Sequence, residues 1–200
     1  MSYLSLIRYK NYKNLEDQEI KFSNHSNIFI GPNGSGKTNV LESISLFLPG
    51  KGFKKQSLEN IKKFNSTSPW IIFGKFKKEN LFIDILTTYK KNENDNIKKE
   101  IFINEEKQKT FLNLNNIPPI LWFIPEMERL FSGPPSLRRN FLDRIVYSFD
   151  LSFMNLVKNY LKLLKERKNL IEGKIIDENW LKQVEEKIAK FGIEIIYKRH

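Results

Sequence analysis

The 200-residue sequence predicts an α/β fold followed by a helical region. Residues 27–50, NIFIGPNGSGKTNVLESISLFLPG, place an apolar run, a glycine-rich loop and an amphipathic pattern in succession. Between residues 70 and 104, apolar and polar residues alternate in short segments, as they do in antiparallel strands. From about residue 136 onward, apolar residues recur at every third or fourth position, which is typical of packed helices.

The composition excludes several classes of protein. There is no cysteine, so a disulfide framework and a thiolate metal site are excluded. The first residues lack the apolar core of a signal peptide, and no apolar run reaches the ~18 residues of a membrane span. We therefore expect a soluble, cytoplasmic protein without a membrane partner. The net charge of +11 suggests a polyanionic partner such as nucleic acid, although scattered lysines are usually solvated surface.

Strands are predicted mainly in the first half of the chain. The predicted strands before the glycine-rich loop are residues 3–9, residues 18–22 and a buried strand over residues 27–30. Further antiparallel strands are predicted over residues 70–76, 81–89 and 100–104, the last two joined by a polar turn. Another buried strand is predicted over residues 120–124, between Pro119 and Pro125.

Helices are predicted after the glycine-rich loop and in the last third of the chain. The first covers residues 37–48 and ends at Pro49, with an apolar face of Val40, Leu41, Ile44, Phe47 and Leu48. Ser136 is the predicted cap of the second, which carries Leu137, Phe141, Leu142, Ile145 and Val146.

The last two predicted helices form a hairpin. One covers residues 151–170 and is ended by Gly173. Asp177 caps the other, whose inner face is predicted to hold Trp180, Leu181, Val184, Ile188 and Phe191. The pattern carries no stop signal before His200, so we expect that the sequence is part of a longer protein.

The segment GPNGSGKT, residues 31–38, matches the phosphate-binding pattern G-x-x-x-x-G-K-[ST]. Its glycines permit conformations in which consecutive N–H groups face one phosphate, and the following helix adds its N-terminal donors. Lys37 can reach the β- and γ-phosphates, and the Thr38 hydroxyl can ligate Mg²⁺. Since a strand and a helix are predicted on either side, this pattern predicts a nucleoside triphosphate site with Mg²⁺, formed by Gly31, Pro32, Asn33, Gly34, Ser35, Gly36, Lys37 and Thr38.

Two blocks of the sequence resemble known families. GPNGSGKTNVLESI is similar to the loop of ABC- and SMC-type ATPases. Residues 122–146, WFIPEMERLFSGPPSLRRNFLDRIV, resemble the RecF family of DNA replication and repair proteins, in which F-x-P-E, a G-x-P turn and R-R-x-F-L-D follow one another. LSLIRYKNYKNL, YLKLLKERKNLI and WLKQVEEKIAKFG resemble further segments of that family. The resemblance therefore covers nearly the whole chain.

The resemblance implies a P-loop ATPase head of the ABC/SMC type with an antiparallel β lobe in residues 1–135. It also implies an inserted helical lobe, the hairpin, in residues 136–200. The expected cofactors are ATP and Mg²⁺. The expected partners are single- and double-stranded DNA, RecO and RecR, and a second copy of the parent protein in an ATP-dependent homodimer. The implied role is binding of single-strand gaps and junctions between double- and single-stranded DNA, and assistance in recombinase loading.

Three basic residues are further candidates for contact with DNA or with a dimer partner. Lys10 takes the place of an arginine in the opening segment of the family, and Arg138 and Arg139 lie in the R-R-x-F-L-D block. An internal ion pair, for instance between Arg139 and Asp143, is the alternative that we favour for the two arginines.

The 200 residues contain no signature loop and no apolar run followed by two acidic residues. Asp84 lies among apolar residues without a second acid, and we interpret it as part of a lobe strand. We therefore expect no catalytic residue in this sequence, and nucleotide binding without efficient hydrolysis or ATP-dependent dimerisation. Two alternatives stay open: an ATPase subunit of a membrane transporter, and a nucleotide-dependent DNA-binding module that does not hydrolyse ATP.

Overall fold

The computed structural model describes residues 2–15, 17–108, 118–173 and 177–200. The chain divides into two compact units, Met1–Trp122 and Phe123–His200. The domain boundary that we placed after residue 135 stays a prediction. None of the described helices combines the length and the apolar character that crossing a membrane requires.

The strands of the first unit form one antiparallel sheet. In its described part there are six, in the spatial order β2-β1-β3-β4-β5-β6. Their bounds are Ser2–Lys10 for β1, Glu19–Lys21 for β2, Ile71–Lys78 for β3, Leu81–Lys91 for β4, Ile97–Ile103 for β5 and Glu106–Lys107 for β6. The antiparallel lobe and the placement of Asp84 in one of its strands are thereby confirmed.

One face of this sheet contacts helix α1, Lys37–Ser45, through the Tyr9–Ser43 hydrogen bond and packs against the residues that follow the helix. Buried and half-buried side chains alternate along β3 and β4, as expected when one face of a sheet lies in the core. Phe47 lies edge-on to Phe76, with 5.2 Å between the ring centroids. Gly74 permits this contact, because a Cβ there would lie 2.5 Å from Cζ of Phe47.

The predicted buried strand over residues 27–30 is wrong. The six described strands pair with one another, and none pairs with this segment. Ile28 is 82% exposed and Ile30 is 92% exposed. Apolar composition alone does not make a strand, because a strand also needs a neighbour for its backbone N–H and C=O groups.

Helix α1 is shorter than predicted; Val40, Phe47 and Leu48 of the predicted apolar face are buried, but Leu41 is not. It ends at Ser45, whereas we expected residues 37–48. Leu41, predicted to face the core, is 52% exposed, while Glu42 and Ser43 are buried. These two polar residues are buried because each has a polar partner, Lys13 for Glu42 and Tyr9 for Ser43.

The second unit consists of three helices preceded by a 3₁₀ turn, Pro125–Arg129. The helices are α2, Pro135–Phe149; α3, Ser152–Ile171; and α4, Glu178–Arg199. The side chains of Phe153, Leu156 and Ile195 form the buried core.

The predicted hairpin is confirmed by the contact of α3 with α4, which includes an Arg167–Glu185 ion pair at 2.8 Å. The predicted cap is confirmed as well, since the Asp177 carboxylate accepts a hydrogen bond from the Trp180 N–H at 3.0 Å.

Three expectations for this part of the chain are wrong. Residues 120–124 form no strand and none of the described strands pairs with them, which agrees with the prolines that flank the segment. Ser136 does not cap α2, because Pro134 takes the capping position and Pro135 begins the helix. Trp180 is 46% exposed, since its indole N–H donates to Glu166 at 3.2 Å near the surface of the hairpin.

A buried lysine connects the end of α1 to the sheet. Lys99 on β5 is 8% exposed, and its Nζ donates to the carbonyl oxygens of Leu48 at 2.5 Å and Gly50 at 3.2 Å. No carboxylate of the described residues pairs with it. Burial lowers the pKa of Lys99 to about 7, although the two carbonyl oxygens favour the charged form.

We expect the free energy of unfolding of the first unit to rise by about 2 kcal/mol between pH 7 and pH 9 because of Lys99. Its pKa is near 10.5 in the unfolded chain and about 7 in the folded chain. In this interval the unfolded chain therefore binds more protons, and stability rises with pH. Urea unfolding followed by the fluorescence of buried Trp70 measures the change.

The substitution Lys99→Met removes this part of the pH dependence, whereas Lys98→Met, at an exposed neighbouring position, retains it. Equal pH dependence in wild type and Lys99→Met would contradict the assignment.

Candidate nucleotide site

The predicted phosphate loop lies at the N-terminus of α1 and is open to solvent. Residues 31–35 are exposed. Gly34 has φ 84° and Gly36, the N-cap residue, has φ 96°, a left-handed conformation that favours glycine. No side chain caps the helix and no acidic residue lies in its first turn. The N–H groups of that turn are therefore available to an anion.

The side chain of Lys37 folds back onto the start of the loop. Its Nζ donates to the carbonyl oxygens of Gly31 and Pro32, both at 2.7 Å. An ammonium group has three hydrogens, so one is left for a phosphate oxygen. Thr38 is exposed, so its hydroxyl is accessible to a metal ion.

The loop is supported by the connection between β1 and β2, which the sequence analysis did not assign to the site. Nδ2 of Asn14 donates to the carbonyl oxygen of Gly34 at 3.2 Å, and its Oδ1 accepts from Nδ2 of Asn39 at 2.8 Å. A Cβ at Gly36 would lie 2.9 Å from Cδ2 of Leu15. Glycine is favoured at position 36 by its φ of 96°, and the packing of the connection against the loop leaves little room for a side chain.

Two buried tyrosines attach α1 to the rest of the first unit. The Tyr12 hydroxyl donates to the carbonyl oxygen of Asn39 at 3.0 Å, and the Tyr9 hydroxyl shares a hydrogen bond with Ser43 at 2.9 Å. Burial raises the pKa of Tyr9 to about 12 and also raises the pKa of Tyr12. Both hydroxyls therefore stay protonated at neutral pH.

One turn into α1, the carboxylate of Glu42 is fully buried between two lysines. Its Oε2 lies 2.5 Å from Nζ of Lys13 and 3.3 Å from Nζ of Lys54, which also donates to Oδ1 of Asn39 at 3.3 Å. Desolvation lowers the pKa of Lys13, and the Glu42 carboxylate opposes that shift. This ion cluster of Glu42, Lys13 and Lys54 joins α1 to the segments before and after it.

The structure does not place Lys10 in the loop. Lys10 ends β1, is exposed, and lines a shallow cavity of about 540 Å³ together with Asn11, Thr88 and Lys90. Its role in contact with DNA or a dimer partner stays a prediction.

Arg138 and Arg139 belong to the second unit and differ in their surroundings. Arg138 donates to the carbonyl oxygens of Phe131 at 3.3 Å and Gly133 at 3.0 Å, which fixes the turn before α2. The favoured ion pair between Arg139 and Asp143 is wrong, because Asp143 pairs with Arg199 at 2.7 Å. Arg139 is exposed and has no hydrogen bond or ion pair to the described residues.

A glycine-rich loop that opens a helix, with a lysine directed at its start and an antiparallel lobe beside it, defines the class of P-loop ATPase heads. The family model described as AAA ATPase domain matches residues 3–198. The chain therefore belongs to the AAA ATPase domain family.

The curated proteins that match this chain are named RecF. Proteins named DNA replication and repair protein RecF from Rickettsia africae (strain ESF-5) and Rickettsia massiliae (strain Mtu5) are each 39% identical over 196 residues, which is 98% of this chain and 52% of theirs. The chain thus spans about half the length of these relatives.

Solved structures agree in fold. The structure of the recombination mediator protein RecF-ATPrS in the RecFOR pathway matches with a TM-score of 0.83 and 29% sequence identity. The match covers 99% of this chain and 53% of the RecF chain. The corresponding RecF-ATP structure has a TM-score of 0.81 and 28% identity, with the same coverage. The predicted RecF resemblance and the ABC/SMC-type head are confirmed, and ATP is supported as the nucleotide.

We expect Lys37→Met to weaken ATP binding by about tenfold or more while the chain stays folded, because the loop loses a charge-assisted hydrogen bond to phosphate. Equilibrium titration with a fluorescent ATP analogue measures the affinity. Lys51→Met is the control, since Lys51 is exposed and lies in the turn after α1. Wild-type affinity in folded Lys37→Met would exclude the loop as the nucleotide site.

We expect Glu42→Gln to destabilise the first unit by about 3 kcal/mol, because it leaves the largely buried ammonium of Lys13 without its counter-charge. Glu59→Gln is the control: Glu59 is 37% exposed and lies 3.8 Å from Lys91, so its loss costs under about 1 kcal/mol. Urea unfolding compares the two variants, and similar losses would show that the cluster does not stabilise α1.

Proposed function

We propose that this chain is the nucleotide-binding portion of a RecF-like protein that binds DNA in an ATP-dependent manner during recombinational repair. The observation that carries the proposal is the open loop of residues 31–38 with its supporting asparagines, in a chain 39% identical to proteins named RecF. The RecF relatives give no support to the transporter alternative.

The chemistry of the loop residues suits a nucleoside triphosphate. The N–H groups at the start of α1 bind the phosphates, and Lys37 neutralises part of their charge. The described residues contain no cluster of three His, Cys, Asp or Glu side chains that could hold a metal by itself. Mg²⁺ would therefore be held by the Thr38 hydroxyl together with phosphate oxygens.

The proposed partners follow from the relatives and from charge. The net charge of +11 suits single- and double-stranded DNA, and we propose single-strand gaps and their junctions with duplex as targets. The solved relatives act in the RecFOR pathway, so RecO and RecR are proposed partners of the parent protein. An ATP-dependent homodimer, assistance in recombinase loading, a cytoplasmic location and domains over residues 1–135 and 136–200 complete the proposal.

We expect the affinity for gapped duplex DNA to rise with Mg²⁺–ATP and to fall by about 10³-fold between 50 and 200 mM salt, as for six phosphate contacts. It should not depend on base sequence. Fluorescence anisotropy at several salt concentrations measures both properties, and Lys37→Met serves as the variant without ATP stimulation. A salt-insensitive complex, or a strong preference for one duplex sequence, would contradict the proposal.

A further inference from the structure

The antiparallel sheet has a second face, opposite its buried side chains, that carries aromatic and basic residues. Phe73, Leu86 and Phe102 are paired across β3, β4 and β5 and are each only half-buried. Toward the β3–β4 turn the same face continues with lysines and a further phenylalanine. This outer face is defined by Phe73, Lys75, Lys77, Phe82, Leu86 and Phe102.

Phe82 is the most exposed aromatic residue of the outer face. The residue is 55% exposed, and Nζ of Lys75 and Nζ of Lys77 lie over its ring, 5.9 Å and 5.7 Å from the ring centroid. Lys75 is also 3.7 Å from the carboxylate of Asp84, whereas Lys77 has no ion pair with the described residues. An accessible ring with adjacent ammonium groups combines a stacking surface with phosphate-binding charge.

Uncompensated positive charge also lies at the other end of this sheet face. Lys90 and Lys98 lie directly opposite each other on β4 and β5. Two like charges in this arrangement destabilise the sheet. No carboxylate of the described part of the chain pairs with either lysine. Lys10 and Lys90 line the same shallow cavity, together with Lys91 and with Glu100, whose carboxylate is ion-paired with Lys107. Phe82 pairs with Lys77, and the eight residue steps of β4 from Phe82 to Lys90 span about 26 Å.

We propose that the outer face binds single-stranded DNA, with a base stacked on Phe82 and the phosphate backbone running between Lys77 and the Lys90–Lys98 pair. This inference rests on the proposed DNA binding, and it specifies the binding surface and single-stranded DNA as the ligand. Duplex DNA keeps its base faces stacked, so an exposed aromatic ring contributes to binding a single strand. Unpaired lysines at both ends suit a polyanion, and about 26 Å accommodates a segment near the lower end of the 4–16 nucleotides usual for such sites.

The first test is anisotropy with a labelled 12-nucleotide oligo-dT and with a duplex of equal length, at 50 mM salt. Phe82→Ala weakens binding of oligo-dT by about tenfold and leaves duplex binding unchanged, because a stacking contact with a base is lost. Leu81→Ala is the matched control, since Leu81 is the preceding residue, is 70% exposed and lies on the opposite side of the strand. Thermal unfolding of each variant verifies that it is folded.

The second test uses the salt dependence of oligo-dT binding. Lys77→Gln reduces the slope of log affinity against log salt by about 0.7, the value for one phosphate contact on a single strand. Lys78→Gln is the control, because it removes the same charge from the same strand at a side chain on the opposite face of the sheet. It leaves the slope unchanged.

Equal effects of Phe82→Ala and Leu81→Ala, or of Lys77→Gln and Lys78→Gln, would overturn the assignment of this surface. If the wild-type chain binds gapped duplex but no oligo-dT, the inference fails while the proposed function stands. If it binds neither DNA but binds the ATP analogue, both DNA proposals fail and the nucleotide site is retained.

Discussion

The ion pairing of the buried Glu42 carboxylate with Lys13 and Lys54 is the interaction on which the candidate nucleotide site depends. It lies on α1, one turn beyond the phosphate loop, and its partners come from the segments before β2 and after α1. Removing a carboxylate from water is costly unless it is paired, so three separate segments are required to meet at one point. The phosphate loop is built on the helix that this cluster positions.

Polar contacts hold α1 at both ends as well as in its middle. At its N-terminus, Asn14 bonds to the loop carbonyl of Gly34 and to Asn39. Beyond its C-terminus, Lys99 bonds to the carbonyl oxygens of Leu48 and Gly50. Such contacts fix the position of the loop relative to the sheet, whereas the apolar contact of Phe47 with Phe76 and Gly74 contributes burial. The first-turn N–H groups of the helix are therefore presented to an anion at a defined place.

The positive charge of the chain is of two kinds. Lys13, Lys54 and Lys99 are used inside the first unit, where each has specific oxygen partners. Lysines without such partners, including half-buried Lys77 and exposed Lys90, contribute the long-range field that attracts a polyanion. Net charge alone does not distinguish lysines with internal partners from lysines without them, because the distinction depends on which lysine contacts a carboxylate or carbonyl group in the fold.

The sequence by itself determined the features that depend on neighbouring residues. The loop of residues 31–38, the α3–α4 hairpin with its Asp177 cap, and the strands of alternating pattern were all predicted, because glycine conformation, capping and side-chain periodicity are local. The tertiary structure decided which segments find partners. Residues 27–30 are an apolar run, but no described strand pairs with them. Asp143 forms its ion pair with Arg199 and not with Arg139.

Asn14 and Glu42 became part of the site for the same reason. Asn14 lies 20 residues before Gly34, and Lys13 lies 29 residues before Glu42. Nothing in the local pattern of either segment indicates the other, because hydrogen bonds and ion pairs at such separations exist only after the chain has folded. Local chemistry therefore determined the kind of site, and long-range contacts decided what holds it in place.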